Sequence, residues 1–298
     1  MSGRTLPEAV APQHDADDAK PRKTDPRREG NLNPRRALFR RAIVCGGTRM
    51  PSPRFATFCV AAVLACTLPH APRAAGQVHW DYTGHGGPAH WSDLSADWEA
   101  CGAGRQQSPI DLGKATAALL SKVELHWAQA EWTVVNNGHT IQANAETAGY
   151  AMIDGERYDL KQFHFHAPSE HTVGGAHFPM EVHFVHADAD GRLAVIGVML
   201  QAGGNNSLFR TLMFLAPKQE GAESPAGQIE PRELVSDVSR VIRYQGSLTT
   251  PPCSETVLWT VLKQPIFVNQ RDIDAFTAMF PMNARPVQPL YRRFVLEN

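Results

Sequence analysis

The chain has 298 residues, a formal net charge of −1, 43% hydrophobic and 20% charged side chains. Those proportions exclude collagen-like, wholly disordered and multi-span membrane classes and fit an ordinary globular protein. The charge is unevenly spread: residues 1–76 carry 13 Lys/Arg and 6 Asp/Glu, while residues 77–298 carry 16 and 24, a net charge of −8.

The longer part has the wrong sign for a nucleic-acid binder, which must neutralise phosphates. Its roughly 220 residues suffice for one domain with a substantial core. Residues 1–49 are rich in Arg, Asp, Pro and Gly and lack apolar periodicity. Such a composition cannot bury enough surface to offset its ordering entropy, so the segment reads as disordered, or as an extension upstream of a true start at Met50.

From Met50 the order changes to Arg54, an apolar run Phe55 to Leu68, Pro69, and the small residues Ala74-Ala75-Gly76. A short basic region, an apolar stretch and a small-residue exit describe a secretory signal peptide over 50–76. About fourteen apolar residues are too few to span a bilayer, so no transmembrane segment is expected. The mature chain is expected to begin near Gln77 and to be exported, to the periplasm or beyond. An alternative exit exists at Val63-Leu64-Ala65-Cys66, which would leave a lipid anchor on Cys66. Three of the five cysteines lie in this front part, leaving Cys101 and Cys253. In an exported protein two distant cysteines are expected to pair.

Beyond residue 130 the apolar pattern has period two. Strands are predicted at Trp132–Asn136, Thr140–Ala143, Tyr150–Ile153, Leu160–Phe165, Glu181–His186, Ala194–Leu200 and Val257–Leu262, separated by Gly, Asn and Pro turns. Helical spacing is confined to Leu208–Leu215 and to Arg271–Phe280, where Ile273, Phe276 and Phe280 recur. The reading is a single β-dominated α+β domain over 77–298, without internal repeats or linkers.

Eleven of the 13 histidines lie beyond residue 76. In Gln162-Phe163-His164-Phe165-His166, strand alternation puts Gln162, His164 and His166 on one face and both phenylalanines on the other. A neighbouring strand, Glu181-Val182-His183-Phe184-Val185-His186, offers His183 on the face of Glu181 and Val185, with His186 opposite. Three neutral imidazoles without a thiolate suit zinc and leave a fourth position for water. Gln162 and Glu181 are placed to accept the second ring N–H of a ligating histidine, fixing its tautomer.

One further stretch, Tyr244-Gln245-Gly246-Ser247-Leu248-Thr249-Thr250-Pro251-Pro252-Cys253-Ser254-Glu255, carries a resemblance. Together with Asn136-Asn137-Gly138-His139, Gln162–His166, Ser169–Val173 and Glu181–His183, it resembles the α-class carbonic anhydrases. His79–Tyr82, Gly87-Pro88, Trp91 and Gln107–Asp111 match that family's opening, and Asn283–Pro289 its close. The resemblance runs in order over roughly 79–297.

It implies a large, mostly antiparallel central sheet with a few short peripheral helices, zinc at the floor of a cleft, and reversible hydration of carbon dioxide to bicarbonate by zinc-bound hydroxide. Carried over residue by residue, the zinc ligands fall on His164, His166 and His183. Thr249 matches the residue that accepts a hydrogen bond from the hydroxide, and Glu170 the carboxylate that takes the Thr249 proton. Val185, Val195, Leu248 and Trp259 match the apolar wall for carbon dioxide, and Thr250 a neighbour of bicarbonate. His139 matches the proton shuttle, with Tyr82 and Asn137 ordering intervening waters. The short Ala167–Glu170 connection and the Cys101–Cys253 pair fit a bacterial exported type. The other histidines (His79, His85, His90, His126, His171, His177, His186) are read as structural or surface groups, with His85 or His90 open to an assisting part near the cleft mouth. Weighed against this reading are a zinc hydrolase with esterase activity, a catalytically inactive binding module of the same fold, and a metal-storage protein.

Overall fold

The computed structural model describes residues 78–298. The upstream extension 1–49, the signal segment 50–76, Cys66 and the expected start near Gln77 lie outside the described residues.

The first half of the domain contributes β1 (Thr116–Ala117), β2 (Glu124–Trp127), β3 (Ala130–Asn136), β4 (Ile141–Asn144), β5 (Gly149–Ile153) and β6 (Glu156–His166). β7 (Thr172–Val173) and β8 (Ala176–His177) form a separate two-stranded sheet, and Thr172 also bridges Asp111. The second half adds β9 (Met180–Ala187), β10 (Leu193–Ala202), β11 (Glu223–Ile229), β12 (Val241–Gly246), β13 (Val257–Leu262), β14 (Ile266–Val268) and β15 (Leu296–Glu297). Four short helices accompany them: α1 (Trp91–Leu94), α2 (Ala100–Ala103), α3 (Ser207–Leu215) and α4 (Gln270–Met279).

Thirteen strands form one sheet in the order β1-β15-β12-β13-β10-β9-β6-β4-β3-β11, with β14 beside β10 and β5 joining β2 to β6. Parallel pairing occurs only at β1/β15, β10/β13 and β10/β14, so the sheet is mostly antiparallel, as expected. Among the described residues no helix is long and apolar enough to cross a membrane.

All seven predicted strands and both predicted helices form, with ends shifted by a few residues. Asn206 caps α3 by accepting the Phe209 N–H at 2.9 Å, and Asn269 caps α4 through Arg271 at 2.9 Å. Leu208, Phe209, Leu212 and Met213 give α3 a buried stripe that packs into the larger apolar core. Eight strands escaped prediction. β1, β7, β8 and β15 have two residues each, β2 is half exposed, β11 is an edge strand bearing Pro225 and Gly227 with a bulge between them, β14 has three residues, and β12 carries Arg243 and Gln245.

The feature of the fold that positions the site is in β6. Tyr158 and Leu160 are buried at even numbers, Phe163 and Phe165 at odd numbers, so the apolar alternation changes phase midway. The pairing with β9 absorbs the change: Leu160 faces His186, Gln162 faces Val185, and Lys161 is the extra residue of a bulge. Beyond the bulge both phenylalanines enter the core, and Gln162, His164 and His166 turn to the other face.

Candidate metal centre

On that face His164 stands directly across from His183, and His166 across from Glu181. The imidazole rings of His164 and His166 are 5.0 Å apart between centroids, those of His164 and His183 5.3 Å, and those of His166 and His183 4.6 Å. One ring nitrogen from each of the three lies within 4.8 Å of the others. The predicted ligand set is thus assembled by two adjacent strands.

Two of the rings are held by their other nitrogen. His164 Nδ1 is 2.8 Å from Gln162 Oε1, and His166 Nδ1 donates to the Asn283 carbonyl at 2.7 Å. His183 Nε2 lies 2.9 Å from Glu181 Oε1 without meeting hydrogen-bond geometry. These contacts leave Nε2 of His164, Nε2 of His166 and Nδ1 of His183 as the free lone pairs. His166 Nε2 is buried with no hydrogen-bond partner, a costly arrangement unless something electrophilic takes its lone pair. Burial, then the neighbouring histidines, hold His164 well below the ordinary histidine pKa, which keeps it neutral and able to ligate. Burial likewise lowers His166 despite the nearby Glu170. For His183 burial works downward but the Glu181 and Glu170 charges outweigh it and the pKa rises. Glu181 shows the converse: burial favours its neutral form, yet His171 and His183 hold it well below the usual carboxylate range. The donor set, three imidazoles with oriented tautomers, fits zinc.

Gln162 lies beside His164 and Glu181 beside His183. Glu181 also reaches further than the sequence indicates. Its Oε1 is 2.7 Å from His171 Nδ1, its Oε2 accepts the His171 backbone N–H at 2.9 Å, and His171 Nε2 is 2.7 Å from the Tyr244 hydroxyl. His171 is fully buried, so its place is structural and not on the surface.

Glu170 is fully buried; its Oε1 accepts the Arg285 backbone N–H at 2.9 Å. Its Oε2 has no hydrogen-bond partner and lies 3.6 Å from His166 Nε2 and 3.8 Å from His183 Nδ1. Thr249 is buried as well, but no hydrogen bond joins it to Glu170 in this structure. The carboxylate instead faces the ligand nitrogens.

Val185, Val195 and Trp259 sit side by side across β9, β10 and β13, since Val195 pairs with Val185 on one side and Trp259 on the other. Leu248 joins them in the smaller apolar core. The Trp259 ring is 4.8 Å from the His183 ring, so this patch borders the histidines. Thr250 is partly exposed at the same turn, where Cys253 N–H donates to its carbonyl at 2.9 Å. The Cys101–Cys253 disulfide is formed.

His139 is placed by the turn 137–140. Asn137 Oδ1 accepts the backbone N–H of His139 at 3.0 Å and of Thr140 at 2.9 Å, so its side chain builds the turn. Gly138 has φ +84°, and a Cβ there would also meet Glu220. The His139 ring lies flat on Trp80, with centroids 3.7 Å apart and planes 8° from parallel. Tyr82 is buried, edge-on to the same pair.

Three further residues matter that sequence reasoning did not assign a role. Asn283 orients His166 with its carbonyl, accepts the Ala167 N–H at 2.7 Å and donates to the His139 and Phe165 carbonyls, each at 2.9 Å. Arg285 ties Gln107, Ser108 and Cys101 to the loop that holds Glu170. Gly197 faces His183 across the β9–β10 ladder. Asn283 and Arg285 stood within a matched segment; nothing local marks Gly197.

The profile of the eukaryotic-type carbonic anhydrase family matches residues 86–298. A carbonic anhydrase of Klebsiella pneumoniae is 41% identical over 241 residues, which cover 80% of this chain and 97% of that protein. The solved α-carbonic anhydrase of Thermovibrio ammonificans, in complex with the inhibitor sulfanilamide, superposes with a TM-score of 0.72 at 43% identity over 74% of this chain and 100% of that one. Dioscorin DB3L of Dioscorea polystachya is 38% identical over 221 residues, 70% of this chain and 81% of its own.

Proposed function

This chain belongs to the eukaryotic-type, or α-class, carbonic anhydrase family and catalyses the reversible hydration of carbon dioxide to bicarbonate and a proton; we propose that zinc held by His164, His166 and His183 serves that reaction. The observation that carries the assignment is the convergence of three ring nitrogens within 4.8 Å, with an acceptor hydrogen-bonded to His164 and to His166 and the Glu181 carboxylate beside His183. When bound, zinc supplies Lewis acidity that lowers the pKa of a coordinated water to about 7, a value taken from carbonic anhydrases as a class.

The protein's own residues then divide the work. Gln162, Asn283 and Glu181 orient the three imidazoles. Glu170, as a buried carboxylate with an unpartnered Oε2, takes the hydrogen bond of the Thr249 hydroxyl once Thr249 turns toward it. That fixes Thr249 Oγ1 as an acceptor and so sets the direction from which the attacking oxygen presents its lone pair, an orientation effect. Carbon dioxide is apolar and carries no charge, so Val185, Val195, Leu248 and Trp259 hold it by contact and by excluding water. Thr250 borders bicarbonate. His139 carries the released proton outward, with Tyr82 and Asn137 lining its route.

Residues 77–298 are the catalytic domain in this reading, preceded by the signal segment 50–76, and the product is exported to the periplasm or beyond. The Cys101–Cys253 disulfide supports an oxidising destination. A protein recovered from the cell envelope should start near Gln77; a start at Met1 would refute processing, and a lipid on Cys66 would favour the lipoprotein exit.

Carbon dioxide hydration by the purified enzyme, with zinc content determined on the same sample, tests the function. One zinc per chain and rapid hydration are expected, and His183→Ala should abolish most of both. A His183→Ala variant with full zinc and full activity would refute the ligand set.

A further inference from the structure

Four arginines, Arg105, Arg243, Arg292 and Arg293, line one cavity of about 990 Å³ at the edge of the sheet where β12 meets β15. They are a quarter of the 16 Lys/Arg in residues 77–298, a region whose net charge is −8. Only one acidic side chain, Asp154, lines the cavity, and it is already engaged by Arg243 Nη1 and the Ser121 hydroxyl. About three of these positive charges therefore have no carboxylate partner in the cavity wall, in an otherwise acidic domain.

Arg243 is the best-defined of the four. It is 4% exposed, and its Nη2 is buried without a hydrogen-bond partner. A buried guanidinium N–H left unpaired is costly, and an anionic oxygen is the acceptor that best relieves it. Arg293 is held in place by the backbone carbonyls of Leu290, Gln245 and Pro289, which fix its position but do not neutralise its charge. The Arg105 guanidinium lies 5.2 Å from the Tyr291 ring centre. Among the described residues Arg105, Arg292 and Arg293 form no ion pair.

The rest of the wall is apolar. Leu120, Leu258 and Leu296 contribute, and the rings of Tyr291 and Phe294 stand 55% and 79% exposed. Exposed aromatic surface beside unpaired arginines calls for a partner that is apolar and negative at once. Carbon dioxide lacks the charge and bicarbonate lacks the apolar body, so neither is that partner. The volume lies at the upper end of the range for small-molecule sites, about 300–1,000 Å³. No zinc-site residue lines the cavity; Tyr244 stands between the two, its hydroxyl turned to His171.

We propose that this cavity is a second binding site, taking an amphipathic organic anion: a carboxylate or phosphate monoester on the arginines, its apolar body against Leu120, Tyr291 and Phe294. Calorimetric titration of the zinc-loaded enzyme with decanoate and with octyl phosphate tests it, with decanol as the uncharged control. One site per chain is expected for at least one anion, with decanol at least tenfold weaker; the tighter anion identifies the headgroup. Arg105→Gln combined with Arg292→Gln alters only exposed side chains and should weaken the anion at least tenfold. Leu120→Trp, which fills the hollow and leaves every arginine in place, should do the same, with zinc content and carbon dioxide hydration unchanged in both variants. The proposal is overturned if neither anion saturates, if decanol binds as well as decanoate, or if both variants bind like the parent. It is also overturned if sedimentation shows a dimer that excludes the probes and that Phe294→Ala dissociates, since a second copy of the chain would then be the occupant.

Discussion

A Cβ on Gly197 would stand 2.8 Å from Glu181 Oε1, in a place the carboxylate cannot leave. Gly197 faces His183 across the ladder, and Glu181 fills the space that a side chain would take. The carboxylate is tied to the His171 backbone, the His171 ring and His183, all within 2.9 Å. Glycine inside a buried strand is here a matter of close approach. Gly197→Ala should therefore displace Glu181, loosen His183 and cost roughly 10–100-fold in zinc affinity, the usual effect of disturbing a ligand's orienting partner. Chelator competition measures it, with circular dichroism confirming the fold. Unchanged zinc affinity would show that Glu181 does not orient His183.

The disulfide closes a loop of 152 residues and joins the turn after Thr249 to α2. Its anchors are bonded into the same region: Gln107 Nε2 donates to the Cys253 carbonyl at 3.0 Å, and Arg285 Nη2 to the Cys101 carbonyl at 2.9 Å. In a chain-entropy account such a loop contributes about 5 kcal/mol. Replacing both cysteines by serine should lower stability by up to that amount and slow hydration as the Thr249 turn loosens. Urea unfolding and initial rates report the two effects separately. A double variant as stable as the parent would mean that the bridge adds nothing to this fold.

Much of this was visible in the sequence. Strands with one buried face announce themselves by alternation, as β3 and β6 do, and β9, β10 and β13, buried on both faces, read as short apolar runs, whereas β11, with its Pro225 and Gly227, gave neither signal. The cluster of candidate ligands was legible because histidines at alternate strand positions share a face. What decided their geometry was not periodic. The extra residue Lys161 shifts the phase of β6 in mid-strand, and only the partner strand reveals it. Gly197, Asn283 and His171 act through contacts across the sheet or between distant loops, and residue type alone gives no sign of those. The Thr249–Glu170 hydrogen bond, implied by resemblance, is the one expected contact that the structure does not form.

His186 makes acid sensitivity a testable property of the fold. It points away from the metal centre, fully buried, with Nε2 accepting the Trp127 indole N–H at 3.1 Å and Nδ1 donating to the Phe184 carbonyl at 2.9 Å. Burial outweighs its backbone hydrogen bonds and pushes its pKa down to about 4. Between the unfolded value near 6.5 and the folded value, the unfolded chain binds more protons, so stability falls as pH falls through that window. The full loss is roughly 3 kcal/mol, absent at pH 7 and complete below about pH 4. His186→Gln can keep an acceptor and a donor without titrating. Urea unfolding at pH 7, 5.5 and 4.5 should give a stability difference between parent and variant that shrinks or reverses sign as the pH drops. Parallel curves for the two proteins would assign the acid sensitivity elsewhere.

Hydration of carbon dioxide releases a proton at the metal centre. His166 and His183, the proposed zinc ligands, are buried, so that proton needs a carrier to reach solvent. A carrier must be unprotonated when the proton arrives and must release it again at neutral pH, which suits histidine. His139 is held below its ordinary pKa, first by burial and then by the neighbouring His79, with Asp81 and Glu220 working the other way. Its ring is therefore an acceptor at pH 7, and the Trp80 face beneath it limits where it can swing. His139→Ala should retain zinc and fold, because the turn is built by Asn137 and Gly138 and the Asn283 contact is to the backbone carbonyl of residue 139. In poorly buffered solution its turnover should drop about tenfold or more, in line with the usual 10²–10⁴-fold share of positioned acid–base groups when buffer cannot substitute. Imidazole at tens of millimolar, roughly, should restore much of the rate, because a diffusing base of similar pKa replaces the missing ring. Turnover unaffected by the substitution at low buffer, or a loss that imidazole leaves untouched, would remove His139 from the proton path and make its stack on Trp80 a packing contact alone.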